Sequence, residues 1–328
     1  MDIMKKRKVL KKIAFTSVIL ILVLVIIYSG LQILESTVVP SAEEYVTPSK
    51  TVTRDGIEYF PRQDIVVFLL MGIDQKGPVV DSGSYNNPGA ADMVSLLIFD
   101  EKNEQCSILQ LNRDTMLEMP VLGVGGKQAG SYFGQLALSH TYGSGMADSC
   151  ENTRKTVSDF LNGIHIDYYL SMNMDAIQIL NDAVGGVTVS VEDDFSEVDP
   201  SISQGKFTLH GEQALHFVRT RKDVGDQLNM TRMDRQIEYI NGFIEEFWEK
   251  QEQDPEFILK MYDEVAPYLI SNCSVNTLSG IISRYENFEI NEAVTPEGEN
   301  ILGSEYYEFY TDEEALDELI LRLFYAPK

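Results

Sequence analysis

Residues Val218–Gln236 read VRTRKDVGDQLNMTRMDRQ and gather five cations, Arg219, Arg221, Lys222, Arg232 and Arg235, into nineteen positions. The surrounding chain is acidic, with 26 Lys and Arg against 51 Asp and Glu and a formal charge of −25. A local cationic cluster that opposes the field of the whole chain is a candidate anion receptor. Guanidinium suits the task because it stays charged and presents paired donors matched to phosphate oxygens. VRTR reads as a strand after a helical GEQALHF, and alternation then places Arg219 and Arg221 on one face. Arg232 and Gln236 lie four apart on a helix read from Thr231 onward, so they share a face too. Forks from both segments can converge on one anion. The same residues also read as a solvated run, salt-bridged to the abundant carboxylates, and this stretch alone does not separate the two readings.

Three other places supply complementary groups. Asp74 follows an apolar strand and a glycine in MGID, Asp92 precedes a strand in AADMVS, and Arg113 and Asp114 follow another in LQLNRDTM. Ligands of open α/β sheets sit beyond strand ends. A site built from Asp74, Asp92, Arg113 and the cationic stretch joins carboxylates to guanidinium forks. Carboxylates with phosphate oxygens form the hard oxygen set that Mg2+ takes. This is the equipment of phosphoryl transfer. The plainer alternative is that Asp92 and Asp114 cap turns. Other chemistries find no material: the chain has no GxSxG and no HExxH, and GVGGKQAG at Gly123–Gly130 lacks the Ser or Thr of a phosphate loop. Cys106, Cys150 and Cys273 form no CxxC pair and read as small buried filler.

The elements that must position these groups alternate in kind. Val66–Met71, Met93–Asp100 and Cys106–Asn112 are apolar runs of the kind buried on both faces of a sheet, the last two joined by a tight turn. Asp148–Leu161 is helical, DYYLSMN a strand, and MDAIQILNDAV a helix stopped by Gly185-Gly186. VTVSVEDDF is a further strand. Alternation of this kind predicts an α/β domain with helices on both faces of a central sheet. The last ~75 residues read as acidic and mainly helical, packed on the same domain.

The N-terminus addresses the domain to a membrane. Residues 1–12 form a basic tail, and Ile13–Leu34 is a run of 22 residues without a charge. At ~1.5 Å per residue it spans the ~30 Å hydrocarbon core. Six Lys and Arg before it place the N-terminus in the cytoplasm, so all that follows lies outside. Residues 35–63 read as a polar stalk and 64–328 as the folded domain. Beyond Leu34 the chain holds 20 bases and 50 acids, a charge that excludes a nucleic-acid partner.

The ordered segments GID, ADMVSLLIFD, LQLNRDTM, HIDYYLSMNMDAIQILNDAVGGVTVSVEDDF, LHGEQALHFVRTRKD and TRMDRQ resemble the LytR-CpsA-Psr family over about Asp64–Trp248. The resemblance implies a three-layer α/β/α domain with a central mixed sheet, behind one N-terminal transmembrane helix. It implies a polyprenyl (pyro)phosphate lipid as ligand. The activity implied is transfer of a lipid-linked glycopolymer, such as teichoic acid or capsule, to peptidoglycan in a Gram-positive envelope. Carried over by motif, Asp74 and Asp92 are the Mg2+ acids, Arg113, Arg219, Arg221 and Arg232 the pyrophosphate clamp, and Gln236 its hydrogen-bonding neighbour. Arg113, Asp74 and Asp92 are the catalytic candidates. Two departures stand out. Gln135-Leu136-Ala137 replaces the family's Lys-hydrophobic-Asn, which removes one cation, and the loop between Asp74 and Asp92 is long. A polyprenyl-phosphate-binding sensor or regulator of envelope assembly, without chemistry, is the rival reading.

Overall fold

The computed structural model describes residues 51–226, 228–254, 256–273, 284–285 and 288–328. The expected basic tail and transmembrane helix lie outside these residues, as does the stalk up to residue 50. Ten strands and two helices come first in building the frame: β1 (Val52–Arg54), β2 (Ile57–Pro61), β3 (Ile65–Ile73), β4 (Ala91–Asp100), β5 (Gln105–Leu111), β6 (Met116–Leu122), β7 (Gln128–Gln135), α1 (Ala147–Phe160), β8 (Tyr168–Asn173), α2 (Asp175–Val184), β9 (Val187–Val191) and β10 (Gly205–Leu209). There follow α3 (Glu212–Arg219), α4 (Asn229–Gln253), α5 (Phe257–Val265), β11 (Leu269–Ser271), β12 (Glu289–Val294), β13 (Gly298–Leu302), β14 (Tyr307–Thr311), α6 (Glu313–Phe324) and β15 (Tyr325–Pro327).

A six-stranded mixed sheet of order β11-β8-β3-β4-β5-β12 forms the centre. β3 runs antiparallel to β4 and parallel to β8, and β4 runs antiparallel to β5. The C-terminal ends of β3 and β5 and the start of β4 therefore share one edge of the sheet. Alternating residues of β3 divide between its faces. Val67, Leu69 and Met71 pack with Val157 of α1 and Leu316, Ile320 and Leu323 of α6. Phe68 and Leu70 face the other way, among Phe99, Tyr285 and Phe288. A second core lies among α2, α3, α4, α5 and the β9–β10 hairpin, around Phe217, Phe243, Phe247 and Tyr262.

Two expectations change. Residues 52–61, expected as stalk, form strands that pair with each other and with β15 near the C-terminus. The region after residue 253 is not mainly helical: among the described residues it holds five strands beside α5 and α6. Charged residues on the outward face of exposed strands, as in the pattern of β13 and β14, mimic the composition of a solvated helix. Gly123–Gly130 proves to be the turn and first strand residues of the β6–β7 hairpin, with Gly125 and Gly126 at positive φ. All three cysteines are buried and free.

Helix α4 carries Arg232 and Gln236, so its seat matters. It lies against β9, where Glu238 accepts from the Ser190 N–H at 2.9 Å. At Gly242 the two backbones close up: an added Cβ meets Thr188 O at 2.5 Å and Val187 Cγ1 at 2.9 Å. Ala normally gains about 1 kcal/mol over Gly inside a helix. Here Gly242→Ala is expected to lower stability by about 1–3 kcal/mol, because the overlap is with backbone and the helix must shift. Thermal unfolding reads the sign, and a raised Tm contradicts the close approach.

Candidate functional site

The edge where β3 and β5 end and β4 begins gathers the acids. Asp74 follows β3 and donates its N–H to Ala90 O at 2.8 Å, which joins it to the residues just before Asp92. Asp92 is the second residue of β4 rather than a residue ahead of it. The long loop between them is tied down. Buried Asn87 donates to His140 O at 2.7 Å and Gly143 O at 3.0 Å, and His140 Nδ1 meets Gly89 O at 2.7 Å. Burial pushes the His140 imidazole below its ordinary range, so it serves here as a neutral donor.

Every cation named for the clamp is ion-paired at this edge. Arg113 binds Asp92 through Nη1. Arg232, 3% exposed, reaches the same carboxylate at 3.3 Å and donates to Asp92 O at 2.8 Å. Arg221 binds Asp114, and Arg219 binds Asp74 at 2.9 Å. Asp92 and Asp114 are thus ligands of guanidinium, not turn caps alone. Arg219 ends α3 and Arg221 follows it in a loop, so no strand alternation aligns them. What places Arg221 instead is Arg235. Its buried side chain donates to Phe217 O at 3.0 Å and to Thr220 O, pairs with Asp193, and lies over the Phe195 ring at 5.5 Å. Lys222 is exposed. Gln236 stands outside the charge cluster: it donates to Val218 O at 3.2 Å and accepts from Gln110 of β5 at 3.2 Å.

Asp114, Asn112 and Asn229, which the sequence reading did not place in the site, complete it together with Gln135, which that reading placed there as a lost cation. Asp114 is fully buried and accepts from Gln135 at 3.1 Å as well as from Arg221. Gln135 also donates to Tyr307 O at 2.8 Å, so a neutral amide makes these contacts at the position where the family resemblance implies a cation. Asn112 accepts from the Asp114 N–H at 3.0 Å and from Asn229 at 2.8 Å, and Asn229 in turn accepts from Arg232. The only sequence signal for Asp114 and Asn112 was their adjacency to Arg113.

The inner cluster holds Arg113, Arg221 and Arg232 against Asp92 and Asp114, an excess of one positive charge. Burial pulls the Arg232 guanidinium down to about 10; Asp92 and Asp114 oppose the shift, and Arg113 and Arg221 add to it. Arg232 stays protonated at neutral pH. Arg113 Nε lies 3.3 Å from Asp114 Oδ1 without the alignment of a hydrogen bond, and Arg232 Nε and Asn112 Nδ2 are also buried without an acceptor. Unfilled donors beside surplus positive charge suit an oxyanion. Among the described residues no group of three or more His, Cys, Asp or Glu is placed to hold a metal ion.

Comparison with known proteins follows the same line. Residues 33–323 match the profile of the LytR_cpsA_psr family. A Bacillus licheniformis protein named polyisoprenyl-teichoic acid–peptidoglycan teichoic acid transferase TagU is 28% identical over 73% of this chain and 72% of its own length. The Bacillus subtilis protein of the same name is 27% identical over 64% of this chain and 60% of its own. The chain thus spans little more than half to about three quarters of such relatives, 53% of one from Oceanobacillus iheyensis. The crystal structure of B. subtilis TagV superposes with a TM-score of 0.59 at 24% identity, covering 80% of this chain and 96% of that one.

Arg221→Lys separates an anion clamp from a surface run. It keeps the charge and loses the planar fork, and a charge-assisted bond contributes about 1.5–3 kcal/mol. Binding of a pyrophosphate diester by the purified protein is expected to fall roughly ten- to a hundredfold, at ~1.4 kcal/mol per decade. Exposed Lys222→Arg is the control and should bind as wild type. Equal, near-native binding by both variants removes Arg221 from the clamp.

Proposed function

This chain belongs to the LytR_cpsA_psr family, and from that premise we propose that it moves a glycopolymer from a polyprenyl pyrophosphate carrier to a cell-wall acceptor such as peptidoglycan. The observation that carries the proposal is the buried surplus of guanidinium at the sheet edge, with its unfilled donors. A diphosphate diester brings two negative charges and many acceptor oxygens to that surplus. The names of the sequence relatives, teichoic acid transferases acting between a polyisoprenyl carrier and peptidoglycan, agree with it.

In the reaction, an acceptor hydroxyl oxygen bonds to the sugar-linked phosphorus. The bond from that phosphorus to the bridging oxygen breaks, and polyprenyl phosphate leaves with the electron pair. Arg113, Arg221 and Arg232 hold the developing charge on the leaving phosphate, fixed in advance by Asp92 and Asp114. Arg219, partly exposed at the end of α3, closes the outer side. The hydroxyl proton passes to a carboxylate, Asp74 or Asp92. The same two acids, on neighbouring strand ends, would supply oxygen ligands to Mg2+, which needs only one or two carboxylates besides phosphate and water, once the Arg219 pair with Asp74 and the Arg113 and Arg232 pairs with Asp92 yield to it. When bound, Mg2+ neutralises phosphate charge. Gln236 acts through Gln110 and Val218 O to hold α4 against β5 and α3.

The run Ile13–Leu34 holds the domain at the membrane, where the carrier resides. An exterior with 50 acids is then no obstacle, because the lipid arrives through the bilayer rather than by long-range steering. The rival reading, a lipid-binding regulator without turnover, has one observation on its side: Gln135 supplies an uncharged donor to Asp114 where the family pattern has a cation.

Protease treatment of intact protoplasts is expected to remove everything beyond residue 50; a protected domain contradicts the outward topology. Asp92→Asn keeps the side chain's shape and removes its charge. Transfer from a lipid-linked donor should drop by at least about a hundredfold, in the range of lost electrostatic stabilisation at such sites, while thermal unfolding shows a folded protein. Unchanged transfer makes Asp92 a structural anchor for Arg113 and Arg232. Donor retention with no transfer by wild type, with Mg2+ present, selects the regulator.

A further inference from the structure

The β6–β7 hairpin is rooted in the site, but its far half serves none of the chemistry above. Both ends meet at Asp114: β6 leaves just after it, and Gln135 at the end of β7 donates to its carboxylate. One face packs inward, with Leu117 and Met119 in the main core. The remainder stands free. Among the described strands β7 pairs with β6 alone, and Gln128–Phe133 are all exposed. Val124 in the turn is 99% exposed and Phe133 57%. The turn rests against Tyr85, whose ring lies 3.6 Å from where a Cβ on Gly126 would sit. Tyr85 belongs to the loop that joins the end of β3 to the start of β4, so root and tip both adjoin the segments that leave the site edge.

Charge and chain path together identify what meets this hairpin. Beyond Leu34 the chain holds 50 acids and 20 bases, yet Met116–Gln135 hold one of each, Glu118 and Lys127, and Glu118 accepts from Ser131 Oγ. An anionic bilayer repels the acidic remainder of the domain but not a neutral hairpin with an apolar tip. The chain path shows why such a contact is needed. Thr51 precedes β1, β1 pairs with β2, and β2 leads into the start of β3. The site lies at the other end of β3, nine residues or about 30 Å away. An anchor at Ile13–Leu34 therefore tethers the edge remote from the site. Residues 35–50 extend to at most about 55–60 Å, so this tether lets the domain turn without orienting it. A carrier phosphate sits at headgroup level, and only a contact on the site's own side brings the arginines there. We propose that the β6–β7 hairpin is a second membrane contact, lying on the lipid surface with Val124 deepest, Phe133 at headgroup level and Lys127 against lipid phosphate. Penetration stops there, because the unpaired N–H and C=O groups along the outer edge of β7 cannot enter hydrocarbon. The anchor makes the contact intramolecular, so a weak affinity suffices. Its purpose rests on the anchor and carrier reaction proposed above; the insertion itself is read without any transfer.

The test uses the full chain in nanodiscs of phosphatidylcholine and phosphatidylglycerol in equal parts, with no donor present. Cys106, Cys150 and Cys273 are buried, and burial raises all three thiols, so an added surface cysteine takes the label. An environment-sensitive fluorophore on Val124→Cys should shift to the blue and be quenched by lipids that carry a nitroxide on the acyl chain. On Lys102→Cys, exposed in the β4–β5 turn at the opposite edge of the sheet, it should report water and escape quenching. Val124→Asp changes a side chain in open solvent and should leave thermal unfolding as in wild type. It should raise the KM for a lipid-linked donor in vesicles about tenfold and leave the KM for a water-soluble, short-chain donor unchanged. A fluorophore at residue 124 quenched no more than at 102 overturns the contact while leaving the transferase reading intact, and gives the hairpin to a protein partner instead. An unmoved KM for the vesicle donor in Val124→Asp overturns it as well. Quenching at residue 124 in a protein that transfers nothing keeps the membrane contact and overturns the transferase reading.

Discussion

Arg232 is a guanidinium buried at 3% exposure, with one carboxylate shared with Arg113 and a second carboxylate shared between Arg113 and Arg221. The rest of the architecture is arranged around this interaction. Desolvating an ion costs several kcal/mol, and a buried pair regains it only with good geometry and filled hydrogen bonds. Here the geometry comes from three sources at once: the starts and ends of β3, β4 and β5, the first turn of α4, and the loop after α3. The ion pairs also stitch the second core, built on β9 and β10, to the edge of the central sheet. Apolar side chains stitch equally well or better. Charge at this seam is therefore an expense that stability alone does not require, and a ligand-binding role accounts for it.

The five cations of one stretch divide by how each charge is compensated. Arg235 is matched within the protein by Asp193 and two carbonyls, one at 3.0 Å, and lies over Phe195. Its charge is met inside the protein, so its work is to fix the loop that carries Arg221. Lys222 stands in solvent on that loop. Arg219 spends one Nη on both oxygens of Asp74, at 2.9 and 3.2 Å, in an exposed pair that is easily exchanged. Only Arg221 and Arg232, with Arg113 just after β5, are both partly sequestered and in net excess. Proximity in sequence marked the cluster, but compensation decides which members can meet an anion.

The central sheet was legible because apolar runs such as Val66–Met71 have no other stable home than the middle of a sheet, and two of them are joined by a four-residue turn. Strand order then puts Asp74, Asp92 and Arg113 on one edge, which the antiparallel and parallel pairings of β3 reproduce. The segment VRTR was misread because four residues hold too little periodicity to tell a helix end from a strand; Val218, buried against the second core, continues α3 instead. The role of Asp114 and the partners of Gln135 were illegible for a different reason. Their partners lie 107 and 172 residues away, and nothing local records that. The C-terminal hairpin was lost in an acidic composition that says solvent, not helix or strand.

Gln135 changes the electrostatic account of the whole site. An ammonium there adds a charge to the cluster; the amide donates to Asp114 and to Tyr307 O and adds none. The departure exchanges one positive charge for a link between the carboxylate and the β13–β14 hairpin. Counting Arg113, Arg219, Arg221 and Arg232 against Asp74, Asp92 and Asp114 leaves one positive charge. A diphosphate diester carries two negative charges, so on the proposed reading the loaded site is one short of neutral. A chain with the ammonium closes that gap by itself. On the same reading a divalent cation held by Asp74 and Asp92 would more than offset that gap, so the Mg2+ concentration needed for transfer is expected to be higher with Gln135 than in a Gln135→Lys variant, which a Mg2+ titration of transfer checks.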